Sequence, residues 1–190
     1  MRNRFSQFSA LATLVLLAGF PSALPAEDSR YPAEITGVGD SPNFPLQVGP
    51  YQRGKMIMYQ PAMKDHSIAY DRYDSTLQNA VTLYFYPLAR PAAEQFGAEK
   101  QAILHAHRGS VVLGEKEISL QKNGTSFPAL VATFRYDEVF AGRQQTVFSE
   151  LVLVALPDHF FKVRSSAPLD QGTLAEASLL ELLEKVDWAY

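Results

Sequence analysis

The chain has 190 residues, of which 47% are hydrophobic and 19% charged, and it carries a formal net charge of -3 and no cysteine. This composition is typical of one globular domain, because a disordered chain would contain fewer apolar residues. The absence of cysteine excludes disulfide bonds, thiolate metal sites and thiol nucleophiles. The slightly acidic charge argues against a nucleic-acid partner, since proteins that bind nucleic acids normally carry a basic stripe.

The first 26 residues have the pattern of a secretory signal peptide. Arg2 and Arg4 precede an apolar run over residues 11–20, and small and turn-forming residues follow it up to Ala26. The run is about half of the roughly 20 residues that span a bilayer, so we expect no permanent membrane span. Cleavage near Ala26, or alternatively after Ala23, would release the protein into the periplasm or the medium.

Residues 27–50 are rich in proline and glycine, which predicts an extended lead-in to a single domain over residues 51–190. In that domain we predict short strands at Lys55–Tyr59 and Ser67–Tyr70, joined by a loop that contains Pro61. The run Ala80–Tyr86 is β-branched and aromatic, which favours a central strand buried on both faces.

A helix is predicted over Ala92–Arg108, with Pro91 at its start and Gly109 as a left-handed cap. Phe96 and Ile103 would face the core, and the outward face would carry Glu94, Glu99 and Gln101.

The period of the sequence changes to that of strands after residue 110. Asn123-Gly124 is a favoured hairpin pair, and the strands that follow alternate with a loop at Asp137–Gly142 and a turn at Pro157–His159. The last element is an amphipathic helix for which Thr173 and Glu176 form a capping box. The predicted fold class is α+β: an antiparallel, meander-rich sheet of about six to seven strands flanked by two main helices.

Candidate chemistry is sparse. His105 and His107 lie two residues apart in a predicted helix and point to different sides, so they do not form a metal-binding pair. His159 lies in a predicted turn and needs no functional role. The carboxylates of Glu115, Glu117 and Glu150 are expected in solvent. We therefore predict no catalytic residue, metal or cofactor.

One segment does combine acids with a histidine. An Asp-His contact could orient an imidazole for proton transfer, whereas aspartates in polar turns more often cap backbone groups; the segment consists of Asp65, His66, Asp71 and Asp74. As a candidate surface for a ligand or partner we select His66, Asp71, Tyr73, Arg53 and Arg90. The many aromatic residues are expected first of all in the core.

The tail of the chain resembles a known fold family. The strand Ser149–Leu156, the turn Pro157–His159, the strand Phe160–Arg164 and the helix ending in Leu182–Trp188 are similar to the PsbP-like fold. That fold is an α/β/α sandwich shared by photosystem extrinsic proteins, a Ran-binding nuclear import factor and bacterial exported proteins. The resemblance implies a non-enzymatic binding or assembly role and supplies no catalytic residue.

Three functions are compatible with the sequence. The first is an exported bacterial binding or assembly protein of the cell envelope, a monomer or weak oligomer that binds an unknown envelope protein or a small ligand. The alternative is a periplasmic hydrolase that uses the Asp65/His66/Asp71/Asp74 segment. A structural subunit of an envelope complex is a third possibility.

Overall fold

A computed structural model describes residues 33–34, 43–60 and 65–190. The predicted signal peptide, its cleavage site and the Pro61 loop lie outside the described residues. The secondary-structure elements of the described part, in chain order, are the strands and helices β1 (Ala33–Glu34), β2 (Gln47–Val48), β3 (Tyr51–Gln60), β4 (Asp65–Tyr73), β5 (Gln78–Pro87), α1 (Ala92–Ala106), β6 (Val111–Lys122), β7 (Thr125–Phe140), β8 (Arg143–Ala155), β9 (His159–Pro168) and α2 (Gly172–Lys185).

The strands form one antiparallel sheet in the order β1-β3-β4-β5-β9-β8-β7-β6, and β2 also pairs with β3. The described residues thus contain nine strands rather than the predicted six to seven. Part of the difference comes from β1 and β2, which have two residues each and lie within the predicted lead-in. Strands this short leave no periodic signal in the sequence.

The two helices cover opposite sides of the sheet. Along β8, Leu151 and Leu153 pack with α1, whereas Val152 and Val154 pack with α2, because successive residues of a strand point to opposite faces. The sheet is therefore the middle layer of an α/β/α arrangement, and the predicted α+β class is confirmed. We call the two faces of the sheet the α1 side and the α2 side.

The core on the α2 side is the larger one. Trp188 is fully buried there, its ring lies parallel to that of Phe161 at 4.9 Å between centroids, and its indole N–H donates to the carbonyl of Leu183. Phe44, from the predicted lead-in, packs edge-on against Phe85. The lead-in therefore contributes to the core of the domain.

Strand β5 differs from the prediction that it is buried on both faces. Val81, Leu83 and Phe85 are buried on the α2 side, whereas Thr82 and Tyr84 on the other face are partly exposed. The aromatic residues give the segment Ala80–Tyr86 the nearly unbroken apolar pattern of a fully buried strand. Tyrosine, however, tolerates a half-buried position because its hydroxyl can stay solvated. The sheet is thus incompletely covered on the α1 side.

Two boundaries in the second half of the chain also differ. The predicted loop at Asp137–Gly142 continues β7 as far as Phe140, and only Ala141 and Gly142 form the turn, both with positive φ. The predicted Asn123-Gly124 hairpin is confirmed, with φ of 50 and 76 at its two residues.

The capping box is not formed. Helix α2 begins at Gly172, directly after a 3₁₀ turn at Leu169–Gln171, and no side chain caps it. Because the 3₁₀ turn leads into the helix, Thr173 lies inside the first turn. Glu176 instead pairs with Lys116 of β6, on the same side of the sheet, at 3.3 Å between Nζ and Oε1.

Helix α1 follows the prediction with small shifts. Pro91 immediately precedes the helix, which ends at Ala106 rather than Arg108, and Gly109 has the predicted left-handed conformation, with φ of 81. Within the described residues no helix has the length and apolar character needed to cross a membrane.

Candidate ligand-binding face

The α1 side of the sheet is only partly covered, because α1 packs over β7 and β8. On β3, β4, β5 and β9 most side chains on this side are partly exposed, although Ser67 of β4 and Phe160 of β9 are buried. We call this surface the open sheet face; its residues are Tyr59 of β3, Ser67, Ala69 and Asp71 of β4, Ala80, Thr82 and Tyr84 of β5, and Lys162, Arg164 and Ser166 of β9.

Tyrosine rings mark one end of the open sheet face. The hydroxyls of Tyr59 and Ser67 are hydrogen-bonded at 3.1 Å. Tyr84 lies beside Tyr59, and burial raises the pKa of its phenol. These rings are fixed in place, so they offer flat aromatic surfaces that lose little entropy when a ligand stacks on them.

An ion pair joins this end of the face to α1. Lys162 Nζ lies 2.9 Å from Glu99 Oε2 and 4.3 Å from the centroid of the Tyr84 ring. Tyr86 and Gln95 donate hydrogen bonds to the other oxygen of Glu99, at 2.9 and 2.8 Å. Burial alone would raise the pKa of the Glu99 carboxyl, but Lys162 and these hydrogen bonds outweigh it and hold the pKa below its ordinary value. The prediction that Glu99 faces outward is wrong, because its partners lie on β5 and β9.

Arg164 lies in the middle of the face, opposite Thr82 of β5. Its Nη2 donates to Ser149 Oγ at 3.0 Å, and its Nε is buried without a hydrogen-bond partner among the described residues. Near it, His107 Nδ1 lies 3.3 Å from Glu138 Oε2. Burial and the charge of Arg164 both lower the pKa of His107, which favours the neutral imidazole.

The far end of the face carries Asp71 and, at the end of β4, Tyr73. Burial raises the pKa of the Asp71 carboxyl. The Tyr73 ring lies 6.4 Å from that of Phe140, which is at the end of β7. Since β4 and β7 are separated by three strands in the sheet, the β7–β8 hairpin bends over the α1 side to reach Tyr73. The open sheet face is therefore bounded by tyrosines at one end and by this hairpin at the other.

The residues selected from the sequence do not form one surface. His66 pairs with Phe85 and stacks on its ring at 4.8 Å on the α2 side, whereas Asp71 pairs with Ala80 on the α1 side. Arg53 donates a hydrogen bond to the carbonyl of Phe44. The other two selected residues are exposed: Tyr73 at the end of β4 and Arg90 in the loop between β5 and α1. Of the five, Asp71 and Tyr73 adjoin the open sheet face.

The acidic segment is divided in the same way. Asp65 lies on the α1 side, so it faces away from His66. Burial raises the pKa of its carboxyl, and the charge of Lys162 offsets this only in part. Asp74 pairs with Arg72 and accepts the backbone N–H groups of Thr76 and Leu77, and these bonds lower its pKa to about 2. This aspartate caps a turn. The described residues also contain no group of three or more side chains able to hold a metal ion.

Sequence reasoning missed Arg164, Lys162, Tyr84 and Glu99. A signal was present in β9, where Lys162 and Arg164 alternate with buried residues. Charges at every second position of a central strand indicate that one face of the sheet is open to water. For Glu99 the sequence gives no such signal, because its ion-pair partner, Lys162, is 63 residues away.

These features define a class of protein by its fold: an α/β/α sandwich built on one antiparallel sheet. Among solved structures it is similar to the Ran-binding protein Mog1p of Saccharomyces cerevisiae, with 15% identity over 70% of this chain and 84% of that chain and a TM-score of 0.35. A likeness this weak carries no information on function. Comparison with protein-family models and with curated proteins gives no match.

Proposed function

We propose that this chain is an exported, non-enzymatic binding protein of the bacterial cell envelope, and that it holds a small ligand on the open sheet face. The observation that carries the proposal is a sheet surface left partly uncovered by α1, on which aromatic and polar side chains are fixed by bonds to one another. Binding sites for small molecules combine apolar or aromatic walls with a few oriented polar groups. Export is inferred from the pattern of residues 1–26.

The geometry favours binding over hydrolysis by the acidic segment. The imidazole of His66 and the carboxylate of Asp71 are on opposite sides of the sheet, so neither can orient the other for proton transfer. Asp74 is already committed to its turn and to Arg72. No observation favours this hydrolase, and we do not propose it.

A small ligand fits the face better than a protein partner does. The middle of the open sheet face has short side chains, Ala69 and Ala80 among them, and it lies between the flank of α1 and the bent β7–β8 hairpin. A flat protein surface would meet the helix and the hairpin before it reached the sheet. An extended ligand of limited width can lie along the floor.

The test places a bulky side chain in the middle of the open sheet face. We expect Ala69→Trp to abolish binding, because the indole would occupy the partly exposed floor without disturbing the buried α2 side. Ala177→Trp, on the exposed surface of α2, is the matched control. Each protein is purified under mild conditions from the envelope of cells that express the full chain, and native mass spectrometry detects bound molecules; the N-terminus is sequenced in the same sample.

Three results decide the outcome. A small molecule retained by the wild type and by Ala177→Trp, but lost in Ala69→Trp, supports the proposal. Retention by both variants, or a protein as the sole bound species, contradicts it. An N-terminus at Met1 in a cytoplasmic fraction contradicts export.

A further inference from the structure

Arg164 has more hydrogen-bonding capacity than the fold uses. A guanidinium has five N–H donors, and in the described structure only one of them, on Nη2, has a partner, the hydroxyl of Ser149. No carboxylate lies within ion-pair distance of it: the salt bridges among the described residues include Lys162 with Glu99 but none to Arg164. A partly buried cation in a central strand is therefore left without a carboxylate in direct contact.

The unused donors differ in their access to solvent. Nε is buried and lacks a partner, whereas Nη1 is not among the buried groups and so can meet a molecule on the face. Buried cations are normally paired, because removing a charge from water without compensation is unfavourable. The free edge formed by Nη1 and the second hydrogen of Nη2 matches the two oxygens of a carboxylate or phosphate.

We propose that Arg164 anchors the oxyanion group, carboxylate or phosphate, of a small organic ligand whose less polar body lies over Ala80, Thr82 and Ala69. This inference rests on the proposed function, since it names the chemistry that the same face recognises. Thr82 is the register neighbour of Arg164 on β5, and Ala80 and Ala69 continue the face away from it. These short side chains leave room for the ligand body beside the guanidinium.

The groups around Arg164 set the strength of the interaction. Tyr84, His107 and Glu138 are all within its electrostatic range. Glu138 opposes an incoming anion: the charge of Arg164 acts on its carboxyl, although no direct ion pair joins the two, and its close neighbour His107 is held mainly neutral. Removing the charge of Glu138 should therefore strengthen binding, an effect that damage to the fold could not imitate.

The experiment is a titration of the isotopically labelled mature protein followed by NMR, in which the Nε–H of Arg164 is observed directly. The probes are benzoate, inorganic phosphate and the uncharged benzamide. We expect saturable shifts of the Arg164 Nε–H and of the Thr82 amide with benzoate, phosphate or both, at about millimolar dissociation constants. Whichever anion saturates identifies the oxyanion type, and benzamide should bind about tenfold more weakly.

Variants separate recognition by Arg164 from general charge. Arg164→Gln should weaken anion binding about tenfold or more, and Glu138→Gln should strengthen it. Arg135→Gln removes an exposed arginine whose neighbours in the strand face the α1 side, so it should leave binding unchanged. Melting temperatures of all three proteins establish that they are folded.

Benzamide binding as tightly as the saturating anion, unchanged affinity in Arg164→Gln, or no saturable shift with either anion would overturn the inference. If that happens while a native ligand is still lost in Ala69→Trp, the anion anchor fails and the binding function stands. If Ala69→Trp also retains the ligand, both fail.

Discussion

Glu150 shows how strongly one residue can depart from what its sequence suggests. The isolated carboxylate was expected in solvent, yet it is only 5% exposed, on the α2 side of β8. Burial, and next the charge of Glu176 on α2, raise its pKa to about 7, while Lys116 on β6 works in the opposite direction. Its register partners, Thr133 and Ser165, are uncharged. The buried carboxyl is thus protonated across much of the acidic range.

This residue predicts a pH dependence of stability with a definite sign. A folded-state pKa of about 7, against an ordinary value of 4.5, means that the unfolded chain releases the proton first. The contribution of Glu150 is fully present below pH 4.5 and is lost as the pH rises to about 7. The loss amounts to roughly 3 kcal/mol in the free energy of unfolding.

The measurement is urea denaturation from pH 4.5 to 8 on the wild type and Glu150→Gln. We expect the difference between the two proteins to change in favour of the glutamine variant as the pH rises. Glu117→Gln removes an exposed carboxylate from the neighbouring edge of the sheet and is the control. A difference between wild type and Glu150→Gln that stays constant with pH would refute the assignment.

The conformation and burial of single residues can be predicted only where their neighbours in the sequence determine them. Asn123 and Gly124 predict a hairpin because both residue types tolerate positive φ. Ala141 adopts a similar conformation, with φ of 51, but alanine gives no such signal, so the sequence predicts a loop that begins already at the polar Asp137. The burial of Glu150 and the unpaired guanidinium of Arg164 depend on strands far apart in sequence. They become visible only when the sheet is assembled.

At the scale of elements, the first residue of α2 fixes how closely the helix approaches the sheet. Gly172 has ordinary helical angles, with φ of -54 and ψ of -49, so its backbone does not require glycine. Space does require it: a Cβ at this position would lie 2.9 Å from Cγ of Phe148, a buried ring of β8. The ring has little freedom to move away, because interiors are closely packed.

We therefore predict opposite effects for two glycine-to-alanine changes in helices. Gly172→Ala should lower the free energy of unfolding by about 1–3 kcal/mol through overpacking. Gly97→Ala in α1, where a Cβ would meet nothing within 4 Å, should raise it by up to about 1 kcal/mol through helix propensity. Urea denaturation of both variants checks this. The packing argument fails if Gly172→Ala is as stabilising as Gly97→Ala.

The predictions for whole elements succeeded where a hydrophobic period was long. Both helices and the strands from β5 to β9 were located, with Phe96 and Ile103 of α1 buried as expected. The start of α2 was missed because the Thr173–Glu176 pattern is met by chance in a helix whose N-cap, Gln171, lies two residues before Thr173. The short strands β1 and β2 were missed because they exist only by pairing with β3.

At the scale of the whole molecule, one sheet serves two cores, and this determines how the protein unfolds. Neighbouring residues of β9, Phe160 and Phe161, are both fully buried, one in the α1-side core and the other beneath Trp188 on the α2 side. Loss of one core would expose the sheet backbone that supports the other. We infer that the described domain is one cooperative unit.

Trp188 makes this inference testable, because it is the chain's single tryptophan and lies wholly in the α2-side core. Phe134→Ala removes a fully buried ring from the α1-side core, which should cost about 3–5 kcal/mol. We expect the urea midpoint measured by Trp188 fluorescence to fall as far as the midpoint measured by far-ultraviolet circular dichroism, while Val139→Ala, at a residue 69% exposed, moves neither. If the fluorescence midpoint stays in place while the circular dichroism midpoint falls, the two sides of the sheet unfold independently. Coincident transitions would mean that a ligand bound on the open sheet face stabilises the α2-side core as well, because binding to the native state alone protects every part that unfolds with it.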